Sequence, residues 1–476
     1  MTEAPVFAVV GHPNKGKSSV VATLSQNDAI AIALEPGTTR RRQAYPLTVD
    51  GEVLYTLVDT PGFQRPRRVL AWLEAHSLSA SDHADTVAAF INQHRDSGLF
   101  DDECELLTPL MDGAGIIYVV DGSVPYSAAH EAEMTILRWT GRPSLALINS
   151  IGPGDHTRTW QAALGQYFQV VRRFDAVRAP FAQHLSLLKA FGQLEPAWEQ
   201  PLERAVNYLG AQRDQRQWQA AELIAKALED MLAWQEKRTV SAGDSAIAST
   251  DPVAQELRQR WYRHQRQREQ SLRQAVEHLY QHRHIQRQEA ELTWHSDHDL
   301  FSERSRRIWG VSRGYLATAG FGAGALGGVG LDALTLGTSL GAGALIGGLI
   351  GAAGGAFYGD RVAHSLLRSG PLKGGLQTLR FGPVQDAQFG YIVLGRAVDH
   401  WWHISQRNHA GRDPLDLAPA DSHWLAELAR GPRRELQHIF NKACKNKSLD
   451  ARDRHRLAAV IDDVMTAYLA WRLNPD

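Results

Sequence analysis

Apolar runs that alternate with helical patterns fill the first part of the chain, to about residue 185. Short runs such as Val6–Val10, Val53–Val58 and Ser144–Ile148 have the length and the β-branched content of buried strands. Between such runs come segments with apolar residues at helical spacing, as in Ser19–Leu24. This alternation predicts an α/β fold with a doubly wound sheet.

The pattern changes near residue 190, where helical periodicity replaces the alternation of strands and helices. A chain of 476 residues is too long for one core and predicts two or three domains. We place an α/β domain at residues 1–188 and an all-α half after it. That half divides into a helical region at 189–310, a Gly-rich helical hairpin at 311–360 and a second helical region at 361–476.

A glycine-containing loop lies between the first predicted strand and the first predicted helix. It reads Gly11-His-Pro-Asn14-Lys15-Gly16-Lys17-Ser18-Ser19. In such a loop glycines let backbone N–H groups curve around phosphates, the lysine neutralises the β- and γ-phosphate charge, and the serine hydroxyl binds Mg²⁺. The loop therefore predicts a site for a nucleoside triphosphate, with Lys17 on the phosphates and Ser18 on the metal.

Two further strings fit a switch that responds to the γ-phosphate. The predicted strand Val53–Val58 ends in Asp59-Thr-Pro-Gly62, where the carboxylate would hold Mg²⁺ through water and the Gly62 N–H would sense the γ-phosphate. The loop before it contains Thr38 and Thr39, and a threonine hydroxyl there would ligate Mg²⁺ until the γ-phosphate leaves. The order of the three strings predicts a GTPase-like site.

The connection from Phe63 to Asp112 is long and has a mostly helical pattern. Connections of that length usually carry function or an added element. Because it follows Gly62 directly, we expect it to be a helical insertion that moves with the second switch.

These strings resemble a known family. Pro13-Asn14 before Gly16-Lys17-Ser18, Gly37-Thr-Thr-Arg40 and Asp59-Thr-Pro-Gly62 look like the Era and TrmE-like branch of the translation-factor-related GTPases. The resemblance covers the first 185 residues or so, and the whole chain is similar to predicted bacterial GTPases with a C-terminal domain of unknown function of the DUF3482 type. It implies GTP and GDP as ligands, Mg²⁺ as cofactor and slow hydrolysis of GTP.

The resemblance also implies roles for single residues. Thr39 rather than Thr38 matches the Mg²⁺-binding threonine, and Asn14 matches an asparagine that helps to place potassium in potassium-activated members. Phe63 stands where Ras-like enzymes have a water-orienting glutamine, and Gln64, one residue late, is a weaker candidate for positioning water. Intrinsic hydrolysis should therefore be slow, with potassium, dimerisation across the nucleotide face or a partner completing the site.

The motif that reads the base departs from the family pattern Asn-Lys-x-Asp. Asn149 is present, but Ser150 replaces the lysine and Gly152 replaces the guanine-reading carboxylate. Asp155 would contact the base if its loop folds back, or it is a turn residue. Asp175 and Ala176 fall where the last base-contacting loop of the family lies.

Composition narrows the choice of partners. The formal net charge is -1, so nothing attracts the chain as a whole to nucleic acid, which is not an expected partner. Cys104 and Cys444 are the only cysteines, which fits a reducing cytosol. The first predicted strand begins almost at once and leaves no room for a signal peptide, so a cytoplasmic location is expected.

Two segments of the helical half have unusual composition. Thr239–Asp251 is rich in Ser, Ala and Gly and predicts a linker. A helix predicted over Gln255–Gln288 is rich in Arg, Gln and His. Its arginines are compatible with a patch for anionic lipid or RNA, but interspersed glutamates favour a solvated helix face.

Residues 315–358 contain a single charged side chain, Asp332. Glycine recurs every fourth residue from Gly343 to Gly359, which would give one helix face bare backbone for close helix contact, as in membrane helices. Basic residues flank both ends and predict that both ends stay in the cytoplasm. The alternatives are a hairpin inserted into inner-membrane lipid and a soluble hairpin inside the helical half.

Together these features predict a cytoplasmic GTPase whose nucleotide cycle drives a membrane-associated helical half, with assembly into a homo-oligomer as a further expectation. The alternatives are a soluble Era-like ribosome- or RNA-associated GTPase and a soluble scaffold NTPase.

Overall fold

The computed structural model describes residues 4–25, 41–49, 51–95, 98–241, 252–280, 367–372, 376–408, 424–445 and 449–473. Contacts divide the chain into two compact units. The first consists mainly of residues up to Arg213, and the second of Asp214–Tyr280 with most of the described residues after 366.

A six-stranded sheet organises the first unit, in the order β2-β3-β1-β4-β5-β6. Its strands are β1 (Val6–Val10), β2 (Gln43–Val49), β3 (Glu52–Asp59), β4 (Gly115–Asp121), β5 (Ser144–Asn149) and β6 (Val170–Arg173). All neighbours pair in parallel except β2, which runs antiparallel to β3 at the edge. The predicted doubly wound α/β fold is confirmed, and the sheet is mixed because of its antiparallel edge strand.

Helices connect these strands and cover both faces of the sheet. They are α1 (Lys17–Ser25), α2 (Pro66–His76), α3 (His83–His94), α4 (Asp101–Met111), α5 (Ala128–Trp139), α6 (Thr157–Leu164), α7 (Phe181–Gly192) and the first part of α8 (Pro196–Ala233). Three of them, α2 to α4, form the connection between β3 and β4, which the sequence pattern predicted to be mostly helical.

The core of the first unit lies on both sides of the sheet. Phe7 and Val9 of β1 pack in one apolar cluster with residues of α1, α7 and α8. Ala8 and Val10 pack in the other cluster with residues of α2 to α6. Because successive strand residues face opposite sides, burial on both faces explains why the strands are continuous apolar runs.

Polar residues follow the buried strands at their carboxyl ends. Gly11 follows β1, while Asp59, Asp121 and Asn149 are the last residues of β3, β4 and β5. The carboxyl ends of parallel strands meet at one edge, and β1 lies between β3 and β4, where the strand order reverses. Ligands of doubly wound sheets bind at such a point.

The second unit is largely helical. It contains the end of α8, then α9 (Pro252–Leu279), α10 (Gln388–Ser405), α11 (Arg430–Cys444) and α12 (Ala451–Leu473). A three-stranded antiparallel sheet accompanies them, in which β9 (Leu376–Phe381) lies between β7 (Glu236–Ser241) and β8 (Leu367–Leu372). The second half is largely helical, as predicted, but the sequence analysis predicted no sheet in it. The predicted linker begins inside β7, whose partner strand is over a hundred residues away in sequence.

Aromatic residues of α9, α10 and α12, among them Trp261, Trp401 and Tyr468, form the core of the second unit. Two arginines of α9 make ion pairs at partly exposed positions: Arg260 with Glu256 at 2.6 Å, and Arg268 with Asp230. These pairs fit the prediction of a solvated helix face better than that of a nucleic-acid patch.

Several predictions fall outside the described residues. They include Thr38 and Thr39 of the first switch and the whole Gly-rich segment 315–358. Within the part of the chain that the structure describes, no helix is both long and apolar enough to cross a bilayer.

Candidate nucleotide-binding site

The loop between β1 and α1 has the backbone of a phosphate-binding loop. Gly16 has a φ of +81°, and a Cβ there would lie 2.3 Å from the Asn149 Nδ2 atom. Only glycine fits this conformation and this close approach. Asn14 also has a positive φ, of 61°, and its side chain is exposed. Ser19 lies in the first turn of α1, directly after Lys17 and Ser18.

Lys17 is held at the centre of this loop. Its Nζ donates hydrogen bonds to the carbonyl oxygens of Gly11 at 3.3 Å and His12 at 3.1 Å. Only 7% of the residue is exposed, and burial lowers the pKa of Lys17 to about 8, against the opposing attraction of Asp59 and Glu133. A desolvated ammonium in a ring of backbone groups attracts an anion strongly, because little water screens it.

Triphosphate binding should weaken as the pH rises above about 8. The free protein then holds Lys17 increasingly as the neutral amine, whereas bound phosphate favours the ammonium, so binding takes up a proton. We expect log Kd to rise with a slope approaching one per pH unit above this pKa. Titration with a fluorescent nucleotide at constant ionic strength measures the slope. An affinity that stays constant well above pH 8 would contradict contact between Lys17 and the phosphates.

Oxygen ligands suited to Mg²⁺ meet beside the loop. The Ser18 hydroxyl donates to Asp59 Oδ2 at 2.7 Å, and Asp59 is buried at the end of β3. Hydroxyl and carboxylate oxygens are the ligands that Mg²⁺ prefers next to substrate phosphates. The pair fits the cofactor that the sequence predicts; the third predicted ligand, Thr39, lies outside the described residues.

The second switch string lies against the phosphate loop. A Cβ on Gly62 would come within 2.5 Å of the Pro13 nitrogen, so the two backbones are in close contact. The Phe63 N–H donates to the Gly11 carbonyl at 3.2 Å, and the Phe63 side chain is fully buried in the apolar cluster. This side chain therefore has no means of orienting a water molecule. Gln64, one residue later, is exposed.

Asn149 joins three segments around the expected base position. Its amide donates to the Lys15 carbonyl at 3.3 Å, and its oxygen accepts from the Ala176 N–H at 3.2 Å. Thr23 of α1 donates to the Ala176 carbonyl at 2.7 Å. The structure thus brings together Asn149, Lys15 and Ala176, which the sequence placed in one site.

The two aspartates considered for the base have local roles. Asp175 accepts hydrogen bonds from the N–H groups of Val177 and Arg178 and shapes its own turn. Asp155 accepts from the Thr157 N–H at 3.0 Å, and hydrogen bonds to Thr157 lower its pKa. Its side chain is 74% exposed and lies 3.7 Å from Arg173. The geometry of Asp155 favours the turn-residue alternative over the base contact.

Gly152 packs where the guanine-reading carboxylate stands in the family. A Cβ there would lie 3.0 Å from Ser123 Oγ, and one on Gly154 would lie 2.3 Å from the Ser123 carbonyl. The β5–α6 loop is therefore pressed against the β4–α5 loop, with little space for a longer side chain at residue 152.

Sequence reasoning missed several charged residues around the loop. His12 Nδ1 lies 2.7 Å from Glu133 Oε1, and the fully buried Glu133 also accepts from the Tyr118 hydroxyl at 2.9 Å. Lys15 lies 3.5 Å from Asp121. The partners lie on α5 and β4, more than a hundred residues away, and no local pattern marks them.

Comparison with family models now identifies the chain. A domain of unknown function, DUF3482, matches residues 161–466. The chain belongs to this family. A second model, described as a 50S ribosome-binding GTPase, matches residues 6–149 of this DUF3482 protein, so its N-terminal part is a P-loop GTPase domain. The predicted resemblance to Era-type GTPases that carry this C-terminal domain is confirmed.

Individual relatives match only part of the DUF3482 protein. GTPase Der of Vibrio cholerae serotype O1 (strain ATCC 39541) is 27% identical over 219 residues, which are 43% of this chain and 38% of that protein. GTPase Der of Lactobacillus helveticus (strain DPC 4571) is 40% identical over 85 residues, 17% of this chain and 19% of that protein. The chain thus spans well under two thirds of the length of these relatives.

A solved structure of Era with MgGDPNP and nucleotides of 16S ribosomal RNA is 16% identical. The match covers 52% of this chain and 75% of the Era chain, with a TM-score of 0.29.

Proposed function

We propose that the N-terminal domain binds GTP with Mg²⁺ and hydrolyses it slowly to GDP and phosphate. The observation that carries the proposal is the arrangement of Lys17, Ser18 and Asp59 around the glycine loop. Lys17 would neutralise the phosphates, and Ser18 and Asp59 would hold the metal, which supplies charge neutralisation on the phosphate oxygens. Thr39 would complete the metal site from the first switch.

We further propose that the site prefers guanine to adenine. Asn149 holds the loops on which the base would rest, and the names of the relatives favour guanine. Without a carboxylate at residue 152, we expect discrimination against ATP to be weaker than in proteins that pair the guanine N1 and N2 donors with an aspartate. Competition between GTP and ATP for a fluorescent GTP analogue measures the ratio, and equal affinities would overturn guanine selectivity.

Hydrolysis should be faster in potassium than in sodium at equal ionic strength. Asn14 projects from the phosphate loop with an exposed side chain, where its amide oxygen would help to hold a monovalent cation beside the phosphates. We expect at least a threefold difference in phosphate release, and a loss of that difference in Asn14→Ala. Equal rates in the two salts would remove the cation from the proposal.

We also propose that the C-terminal half carries the switch to a membrane surface at its cytoplasmic face. This rests on the sequence of residues 315–358 alone, whose glycine spacing suits close-packed membrane helices. Fractionation of cells that express the full chain, with and without a non-hydrolysable GTP analogue, tests it. We expect a detergent-extractable membrane pool that grows with the analogue. Protein that stays in the soluble fraction and binds no liposomes in either nucleotide state would contradict membrane association.

A further inference from the structure

The two ends of the helical insertion meet directly after the second switch. Glu103 Oε1 in the first turn of α4 accepts hydrogen bonds from two consecutive backbone N–H groups, of Gln64 at 3.0 Å and of Arg65 at 2.6 Å. The Arg65 guanidinium donates to the Leu99 carbonyl next to α4. The residues that follow Gly62 are thus held by a segment almost forty residues later.

Burial makes this contact between Glu103 and the switch backbone specific. Only 1% of Glu103 is exposed, and burial raises the pKa of its carboxyl, while the N–H groups of Arg65 and Gln64 act in the opposite direction. A buried carboxyl group without partners is costly, so any movement of these N–H groups away from Glu103 is opposed. Glu103 therefore fixes the backbone from which the Gln64 side chain projects.

The Gln64 side chain is exposed beside this fixed backbone. Its amide carries a carbonyl oxygen that accepts hydrogen bonds. A water molecule that attacks a phosphate needs such an acceptor, and the buried Phe63 side chain supplies none.

We propose that Glu103 is a positioning residue for the hydrolysis proposed above, on which this inference rests. Glu103 fixes the backbone of Gln64 so that the side-chain carbonyl oxygen of Gln64 aligns the attacking water. In the step itself, the water oxygen forms a bond to the γ-phosphorus and the bond to the β–γ bridging oxygen breaks. GDP leaves with that electron pair, and the water protons stay on the released phosphate, so GTP⁴⁻ and H₂O give GDP³⁻ and H₂PO₄⁻.

Single-turnover hydrolysis and the affinity for a fluorescent GTP analogue, measured on the full chain, separate positioning from binding. We expect Gln64→Ala, and Glu103→Ala in protein whose thermal unfolding shows an intact fold, each to slow hydrolysis at least tenfold, with Kd changed by less than twofold. Asp101→Asn, two residues before Glu103 on the exposed side of α4, is the matched control and should leave both quantities unchanged.

The double variant decides whether Glu103 acts through Gln64. If it does, Gln64→Ala with Glu103→Ala is no slower than Gln64→Ala alone, because the side chain that Glu103 positions is already lost. Rate losses that multiply in the double variant, or a Glu103→Ala rate equal to wild type, would overturn the inference. Glu103→Gln, which keeps the acceptor, should hydrolyse within about threefold of wild type.

The wild-type protein separates this inference from the proposed function. Wild-type protein that binds the GTP analogue and hydrolyses GTP while Gln64→Ala retains its full rate overturns only the inference. Wild-type protein that binds without hydrolysing overturns the inference and the hydrolysis but leaves the switch. A wild-type protein that binds no nucleotide overturns all of them.

Discussion

Lys17→Ala should remove triphosphate binding, with the affinity falling at least about a hundredfold, which corresponds to roughly 3 kcal/mol. The change deletes the desolvated ammonium that two backbone carbonyls hold in the phosphate loop. Charge-assisted contacts to phosphate are among the strongest polar contacts in proteins. Titration of the variant with a fluorescent GTP analogue in Mg²⁺ measures the loss.

Lys189→Ala is the matched control for Lys17→Ala. Lys189 is exposed on α7, so its removal should leave the affinity unchanged. Equal affinities of the wild type and Lys17→Ala, in a variant whose thermal unfolding shows an intact fold, would refute the assignment of the loop.

Gly62→Ala should slow phosphate release about a hundredfold, which is the usual effect of losing one aligned hydrogen-bond donor. The affinity for nucleotide should fall much less. The new Cβ would lie 2.5 Å from the Pro13 nitrogen and 2.9 Å from the Pro13 Cα. Backbone atoms cannot shift as easily as the end of a flexible side chain. The segment at Gly62 and the phosphate loop must therefore move away from each other. Single-turnover phosphate release and GDP affinity, measured together, test this.

Gly210→Ala makes the same chemical change where space is free. Apart from its chain neighbours and the backbone of α8 itself, no atom of the described residues lies within 4 Å of a Cβ built there, so hydrolysis should be unaffected and stability should rise by about 0.5–1 kcal/mol. If Gly62→Ala hydrolyses as fast as Gly210→Ala, the Gly62 N–H is not the γ-phosphate sensor.

The phosphate site could be predicted because its chemistry is contiguous in sequence. Lys17 and Ser18 are adjacent, and the strand and helix that flank them have clear periodicities of their own. Asp59 followed from the same reasoning, since it ends a buried strand next to β1. The residues alone predict a nucleoside triphosphate, and the expectation of guanine came from the family resemblance.

The residues that support the site could not be predicted in this way. Glu103 and Glu133 read as ordinary polar positions on amphipathic helices, and only the folded chain brings them to Gln64 and His12. The edge strand β2 contains Pro46 and has exposed positions throughout, so it lacks the apolar run of the inner strands. Strands β7 and β9 pair across a gap in sequence that local patterns cannot bridge.

Phosphate release from GTP and from ATP by the purified full chain, with Mg²⁺ and with a chelator, tests the central claim most directly. The account predicts slow release from GTP that needs Mg²⁺, is lost in Lys17→Ala, and exceeds release from ATP. No release from GTP above the Lys17→Ala background, release from GTP that persists when Mg²⁺ is chelated, or equal release from GTP and ATP in the presence of Mg²⁺ would contradict it.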